Sequence, residues 1–327
     1  MITQVLPATT AAITKAADYI SQGAVVAFPT ETVYGLGADA LNPKAVKKIF
    51  AAKNRPADNP LIIHIAHTQD LLPLVTHIPH SAQLLIDEFW PGPLSIVLSK
   101  SQLVPSITTA GLDTVVVRCV SHPVARALIV AAKTPIAAPS ANISGRVSPT
   151  TAQHVWQDMN NKIPLILDAG DIKYGIESTV IDCTKSTPII LRPGSITKEM
   201  ITMIIQTETA ATDTPAVSPG MKYQHYAPGT ALTLITGNEL ERKATLRYYS
   251  KIINQKDAVW ITHDPTSTLP NHLYLPKNKA QAAAKIYSLL LEADSFKCSE
   301  IVIEGFLETG VGVALMNRLS KAAQKII

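Results

Sequence analysis

Cysteine is scarce in this 327-residue chain, and the little there is does not cluster. Cys119, Cys183 and Cys298 stand far apart with no C-x-x-C pair, which favours neither a disulfide framework nor a zinc site; they read as reduced, mostly buried thiols. No uninterrupted apolar stretch reaches the ~18 residues of a membrane span. The first residues carry no basic n-region or apolar h-region, so a cytoplasmic protein without a membrane partner is the expectation. The common nucleotide signatures are missing as well. "GLGADA" offers Gly35 and Gly37 without a third glycine, and no G-x-x-x-x-G-K-[ST] occurs, so any nucleotide must be held by side chains and scattered backbone amides. Charge of one sign is also lacking. The net charge is +4, and residues 1–208 carry 16 Lys+Arg against 15 Asp+Glu, which argues against a broad nucleic-acid surface.

What remains is the composition of an ordinary globular protein, 46% hydrophobic and 17% charged, longer than one typical core supports. Apolar runs that read as strands recur at "AVVAF", "LIIHI", "LSIVL", "TVVVRCV", "PIAAP", "PLILD", "STVID" and "PIILR". Helical spacing fills 11–22, 42–53, 81–90, 122–133 and 151–160, the second with Asn42 as cap and Pro43 at the first helical position. Helices interleaved with strands predict a mixed α/β sheet. From 207 to 230 periodicity gives way to Thr, Pro and Gly. The reading is therefore a domain over 1–208, a linker or lid over 209–230, and over 231–327 a small three-layer α/β domain of doubly wound, Rossmann-like type, with strands at "ALTLITG", "AVWITH" and "EIVIEGF" and helices at 238–255, 279–294 and 313–325.

Several short stretches could carry chemistry. "PTETVYGLG", residues 29–37, follows a strand where a handover to a helix is expected, and reads either as a turn or as the lip of a ligand site. In "KNRPADNP", Lys53 and Arg55 end the 42–53 helix; they either complement its dipole or form a phosphate clamp, with Pro56 and Pro60 fixing the exit. Arg118 lies in the apolar "TVVVRCV" and must have an anionic partner, a structural carboxylate or a ligand carboxylate. "APSANISG" places Ser140, Asn142 and Ser144 in a loop that is either an anion site or a plain Asx turn. Glu177, Ser178 and Thr179 run into a strand, and Arg192 ends another before Pro-Gly. His64 reads as a core histidine, and Cys183 has no basic neighbour in sequence to activate it. Together these describe a site that holds a polyanion beside a small polar molecule by positioning and electrostatics.

The stretches "PTETVYGLGADA", Lys53-Asn54-Arg55, "NPLIIHI", "SANISG", "ESTVID", "LRPG" and "SPGMKYQHYAP", seven in the family's order, resemble the threonylcarbamoyl-AMP synthases. More narrowly they are similar to the long form, a YrdC-like domain with its twisted mixed sheet joined to a small C-terminal domain. The resemblance implies synthesis of threonylcarbamoyl-AMP and pyrophosphate from L-threonine, bicarbonate or CO2, and ATP. A downstream threonylcarbamoyl transferase then acts on adenosine 37 of tRNAs that read codons beginning with A. By motif, threonine binding is implied for Thr32, His64, Thr114, Arg118, the backbone of Ala138, and Ser178. ATP binding is implied for Arg55, Asn59, Ser140, Asn142, Ser148, Arg192 and Tyr226, with Lys53 and Arg55 as the catalytic cations near the phosphates and Mg2+ carried by ATP rather than by a protein cage. Gln224 departs from the basic residue the family places before "HYAP". The alternative of a double-stranded RNA-binding module is disfavoured by the even charge of residues 1–208 and the lack of aromatic interleaving.

Overall fold

The structure is a computed structural model and describes residues 2–210 and 226–327. Its described residues fall into two compact units. The first comprises those within Met1–Ser144, Ser148–Lys173 and Glu177–Lys222; the second, those within Gly145–Val147, Tyr174–Ile176 and Tyr223–Ile327.

In chain order the first unit contains β1 (Gln4–Pro7), α1 (Thr10–Ser21), β2 (Val26–Pro29), β3 (Tyr34–Asp39), α2 (Pro43–Lys53), β4 (Ile62–Ile65), α3 (His80–Phe89), β5 (Leu94–Ser99) and β6 (Thr114–Cys119). It continues with α4 (Pro123–Ala132), β7 (Ile136–Ala137), α5 (Ala152–Met159), β8 (Leu165–Asp168), β9 (Thr179–Asp182), β10 (Ile189–Arg192), α6 (Lys198–Thr202) and β11 (Glu208–Thr209). The strands form one mixed sheet of 11, in the order β1-β8-β2-β3-β7-β4-β6-β5-β9-β10-β11. Period-two alternation splits its two faces. Val26, Phe28, Leu165 and Leu167 pack with Ala16 and Ile20 of α1 and Leu128 of α4, whereas Ala27 and Ile166 join Val46 and Ile49 of α2 and Leu85 of α3. Helix α2 forms for the reasons legible in its sequence: the Asn42 side chain accepts from the backbone N–H of Lys44 and Ala45, Pro43 takes the first turn, and Asn54 closes the helix in the left-handed conformation.

The stretch at 29–37 differs from expectation. No helix follows β2; the chain turns through Thr30–Val33 into β3, which runs back antiparallel to β2 with Phe28 opposite Gly35. Thr30 makes the turn, its hydroxyl donating to the Val33 carbonyl at 2.6 Å. Gly35 and Gly37 are therefore strand residues rather than part of a turn. A Cβ on Gly37 would stand 2.5 Å from Phe28 Cε1 and 2.6 Å from Ile136 Cγ2, so what needs the missing side chain is the Phe28 ring.

The second unit contains β12 (Ala231–Ile235), α7 (Glu239–Ile252), β13 (Ala258–Thr262), β14 (His272–Tyr274), α8 (Lys279–Ser295), β15 (Glu300–Glu304), α9 (Val311–Ala322) and β16 (Lys325–Ile326). All five strands are parallel, in the order β14-β13-β15-β12-β16. Tyr249 of α7 packs with Trp260 and Val302 in one buried cluster of this sheet. The three expected strands and three expected helices are all present. The edge strands β14 and β16, three and two residues long, are additional, being too short to show alternation in sequence.

Candidate active site

The face of the first sheet that carries the site is defined by alternation along its central strands. Ile63, Ile65, Val115, Val117, Leu94, Ile96 and Ile181 point into the main core. Their neighbours Ile62, Val97, Val116, Val180 and Leu191 form a small apolar patch on the other face. The same alternation puts His64, Ser95, Arg118 and Ser178 on the patch side, and His64 pairs with Arg118 across the parallel β4–β6 ladder. These four side chains are buried, yet polar.

Arg118, 2% exposed, meets its anion inside the protein. Its Nη2 lies 2.7 Å from Oε1 of Glu31, its Nη1 donates to Thr32 Oγ1 at 2.9 Å, and its Nε donates to the Gly92 carbonyl at 3.2 Å. Of the two partners the sequence left open for Arg118, the structure shows the carboxylate of the protein. Burial alone would push the Glu31 carboxyl up; the Arg118 charge and hydrogen bond, helped by the Ser121 N–H at 3.2 Å, carry it below its usual value. Its second oxygen, Oε2, is buried with no hydrogen-bond partner among the described residues. Tyr34 has a bracing role: its hydroxyl donates to the Gly170 carbonyl at 3.0 Å, and its backbone N–H to that of Pro149 at 2.9 Å.

His64 stays neutral. Burial first and the Arg118 charge second push its imidazole down to about 3, and Nδ1 has no partner among the described residues. A group whose folded pKa is depressed stabilises the fold fully above its unfolded value of 6.5 and progressively less as pH falls toward about 3. From about pH 6 to pH 5 this residue alone should remove as much as about 1.4 kcal/mol of stability. The His64→Gln variant should lose that slope in denaturant titrations, and an unchanged slope would refute the assignment.

Ser178 connects Arg118's neighbourhood to Arg192. Its hydroxyl lies 2.8 Å from that of Ser95, and its carbonyl and hydroxyl accept from Arg192 Nε at 3.1 Å and Nη2 at 3.2 Å. Ser148, buried, donates to Glu177 Oε1 at 2.7 Å. A second cluster forms where α2 ends. Lys53, 2% exposed, donates through Nζ to the carbonyls of Ser140 and Asn142, both at 2.6 Å, and approaches Asn142 Oδ1 at 3.5 Å. Its own carbonyl accepts from the Ser144 N–H at 2.8 Å, so the ammonium and the helix end together pin the "SANISG" loop. Burial and then the nearby Arg55 charge push the Lys53 ammonium well below its usual pKa. Arg55 curls onto its own loop, Nη2 donating to the carbonyls of Asn59 at 3.3 Å and Pro60 at 3.1 Å, while the amide nitrogen of Asn59 is buried without a partner among the described residues.

Thr114, Ala138 and Tyr226 complete the expected set. Thr114 opens β6 four residues before Arg118, which is about 13 Å along a strand. The Ala138 N–H is taken by the Ile62 carbonyl at 3.0 Å. Tyr226 belongs to the second unit, where its ring stacks on Tyr287 with centroids 5.7 Å apart and lies under the Arg318 guanidinium. Gln224 and most of the expected linker lie outside the described residues. Sequence reasoning did not assign Glu31 or Ser95 to the site. The available signal for Glu31 was the other half of the Arg118 argument: a lone charge in "PTETVYG", beside a strand as apolar as the one that holds the arginine. No cluster of His, Cys, Asp or Glu among the described residues could hold a metal, and no described helix is long and apolar enough to cross a membrane.

Comparison with known proteins sets this geometry in a family. A family model described as telomere recombination matches residues 18–194, and one described as threonylcarbamoyl-AMP synthase, C-terminal domain, matches residues 196–324. The chain is 45% identical to the threonylcarbamoyl-AMP synthase of Pyrococcus abyssi, covering 94% of this chain and 93% of that protein. It is 43% identical to the Bacillus subtilis protein of the same name, covering 95% and 92%. The crystal structure of P. abyssi Sua5 complexed with L-threonine superposes over 100% of this chain and 98% of its own, with a TM-score of 0.93 at 43% identity. Two domain matches in series, and relatives of this identity along nearly the whole length, place the chain in the threonylcarbamoyl-AMP synthase family.

Proposed function

We propose that the chain makes threonylcarbamoyl-AMP and pyrophosphate from L-threonine, bicarbonate or CO2, and ATP. The full-length likeness to P. abyssi Sua5, whose structure contains L-threonine, carries this reading. The threonine amine and bicarbonate give the carbamate and water. A carbamate oxygen then forms a bond to the α-phosphorus of ATP as the bond to pyrophosphate breaks. The residues of 1–208 are the catalytic domain in this proposal, with 209–230 as a lid and 231–327 as the smaller domain.

Threonine is assigned to the polar face built around Thr32, His64, Arg118 and Ser178, with Thr114 and the Ala138 backbone at its margins. ATP is assigned to Arg55, Asn59, Ser140, Asn142, Ser148 and Arg192, with Mg2+ arriving on the phosphates; for Tyr226 the support is the family motif alone. Arg118, held by Glu31 and Thr32, and Arg192, held by Ser178, supply the guanidinium groups that a threonine carboxylate and a nucleotide require. Lys53 holds the Ser140–Asn142 segment, so it acts on the phosphates through the shape of that loop as well as through its charge. Burial of the cluster keeps water from a carbamate that is short-lived in solution. The product passes to a transferase acting on tRNA. A pyrophosphate-release assay with ATP and bicarbonate should show turnover only when L-threonine is added, with serine a poorer substitute. Release at the same rate without an amino acid would refute the reading.

A further inference from the structure

The second unit contains a cleft that the proposed reaction does not use. About 710 Å³ in volume, it is lined by the segments that follow β12, β13 and β15 and by the start of α8, the carboxyl-end position at which open parallel sheets bind ligands. Five Lys and Arg side chains face three carboxylates there, an excess of two positive charges.

The carboxylates are already engaged. Glu304 takes Arg242 Nε at 3.4 Å and the His263 N–H at 2.9 Å. Glu239 is shared between Lys243 at 2.8 Å and Lys277 at 3.5 Å, and Asp264 accepts from the Thr266 N–H and hydroxyl. Lys279 donates to the Thr309 carbonyl and hydroxyl at 2.8 and 2.6 Å, whereas the two arginines are not fully engaged. Arg242 is 6% exposed; it donates through Nη1 to the Gly237 carbonyl at 2.7 Å, and its Nη2 has no partner among the described residues. Arg247, exposed and also lining the cleft from α7, has no carboxylate among the described residues.

The backbone amides that often bind phosphate after a first strand are spent. Glu241 covers the turn by accepting from the Asn238 N–H at 2.7 Å, and the Asn238 side chain takes the amides of Leu240 and Glu241. An anion in this cleft must therefore be held by side chains. Leu246, Leu269 and Phe306 add an apolar wall for an uncharged portion.

We propose that this cleft binds a phosphate ester of nucleotide size, its phosphates on Arg242, Arg247 and the Lys243–Lys277 pair and its uncharged part against Leu246, Leu269 and Phe306. Guanidinium forks suit phosphate oxygens, and the volume suits a small molecule. A concave site with so small a charge excess does not match an extended nucleic-acid backbone.

The test is equilibrium dialysis of labelled ADP, and separately of inorganic pyrophosphate, against the full chain at low ionic strength. The wild type should bind an equivalent whose affinity falls by about fivefold or more in Arg247→Ala with Lys277→Ala, two exposed changes that spare the fold. Arg242→Gln should weaken the same equivalent, while Arg192→Ala in the first unit should leave it intact. Because the readout is binding rather than synthesis, it stands whether or not the chain makes threonylcarbamoyl-AMP. Isotherms identical in wild type and the Arg247→Ala, Lys277→Ala variant would overturn the proposal, as would the binding of neither probe. Capture of an RNA oligomer through these residues without either small probe would overturn it too, in favour of a nucleic-acid face.

Discussion

Replacing Arg118 by alanine should weaken threonine binding by about 2 to 5 kcal/mol, between thirtyfold and several thousandfold in affinity. Three features make the effect large. The guanidinium is buried, it orders Thr32 through Nη1, and it is the cation on the face where the threonine carboxylate is assigned. The same change should also lower stability by about 3 to 5 kcal/mol, since Glu31 would be left as a buried carboxylate with its Oε2 already unpartnered. The two consequences can be separated. A Glu31→Gln, Arg118→Met double variant removes both charges and should regain much of the stability without regaining threonine affinity. Arg118→Lys keeps the charge but not the fork, and should fall between. Threonine affinity that is unchanged in Arg118→Ala, measured by saturation of pyrophosphate release and by direct binding, would remove Arg118 from the site.

Lys53→Ala carries the second large effect, on turnover. The ammonium holds two carbonyls of the Ser140–Asn142 segment from the end of α2, and the Lys53 backbone holds Ser144. Without it the loop loses its fixed position and the site loses the donor that holds both carbonyls. A displacement of this kind is expected to lower kcat by about a hundredfold. Apparent ATP affinity should change much less, because the loss is of alignment rather than of ground-state contacts. Lys53→Arg tests the positioning role, since a fork at this depth cannot reproduce one ammonium between two carbonyls and should rescue little. Equal losses in kcat and in ATP affinity would mean that Lys53 only binds the nucleotide.

Much of the fold was legible because its elements obey simple periods. The buried strands of the first unit announce themselves as short apolar runs, and α2 by its Asn-Pro cap and apolar stripe. What the sequence hid was local reversal. The "TETV" turn reads like an approach to a helix, and only the packing of Phe28 over Gly35 and Gly37 explains why the chain doubles back as a strand. The site was legible one residue at a time. Arg118 stood out because an unpaired charge in an apolar strand is costly, yet its partner Glu31 sits 87 positions earlier and becomes a neighbour only through the sheet order. Lys53 looked like a helix-end cation, and its contact with the 140–142 carbonyls is a tertiary fact that no local pattern encodes. Ser95, a lone hydroxyl within an apolar strand, acquires its meaning from Ser178, just before the adjacent β9.

The proposed chemistry differs from simple activation of an amino acid in one atom that can be followed, the carbon of bicarbonate. Incubating the chain with ATP, L-threonine and 13C-labelled bicarbonate, then analysing the nucleotide products by mass spectrometry, tests the account most directly. It predicts an adenylate that contains threonine and one labelled carbon, formed in step with pyrophosphate. An adenylate of threonine without the label, or pyrophosphate release with no adenylate that contains threonine, would contradict it.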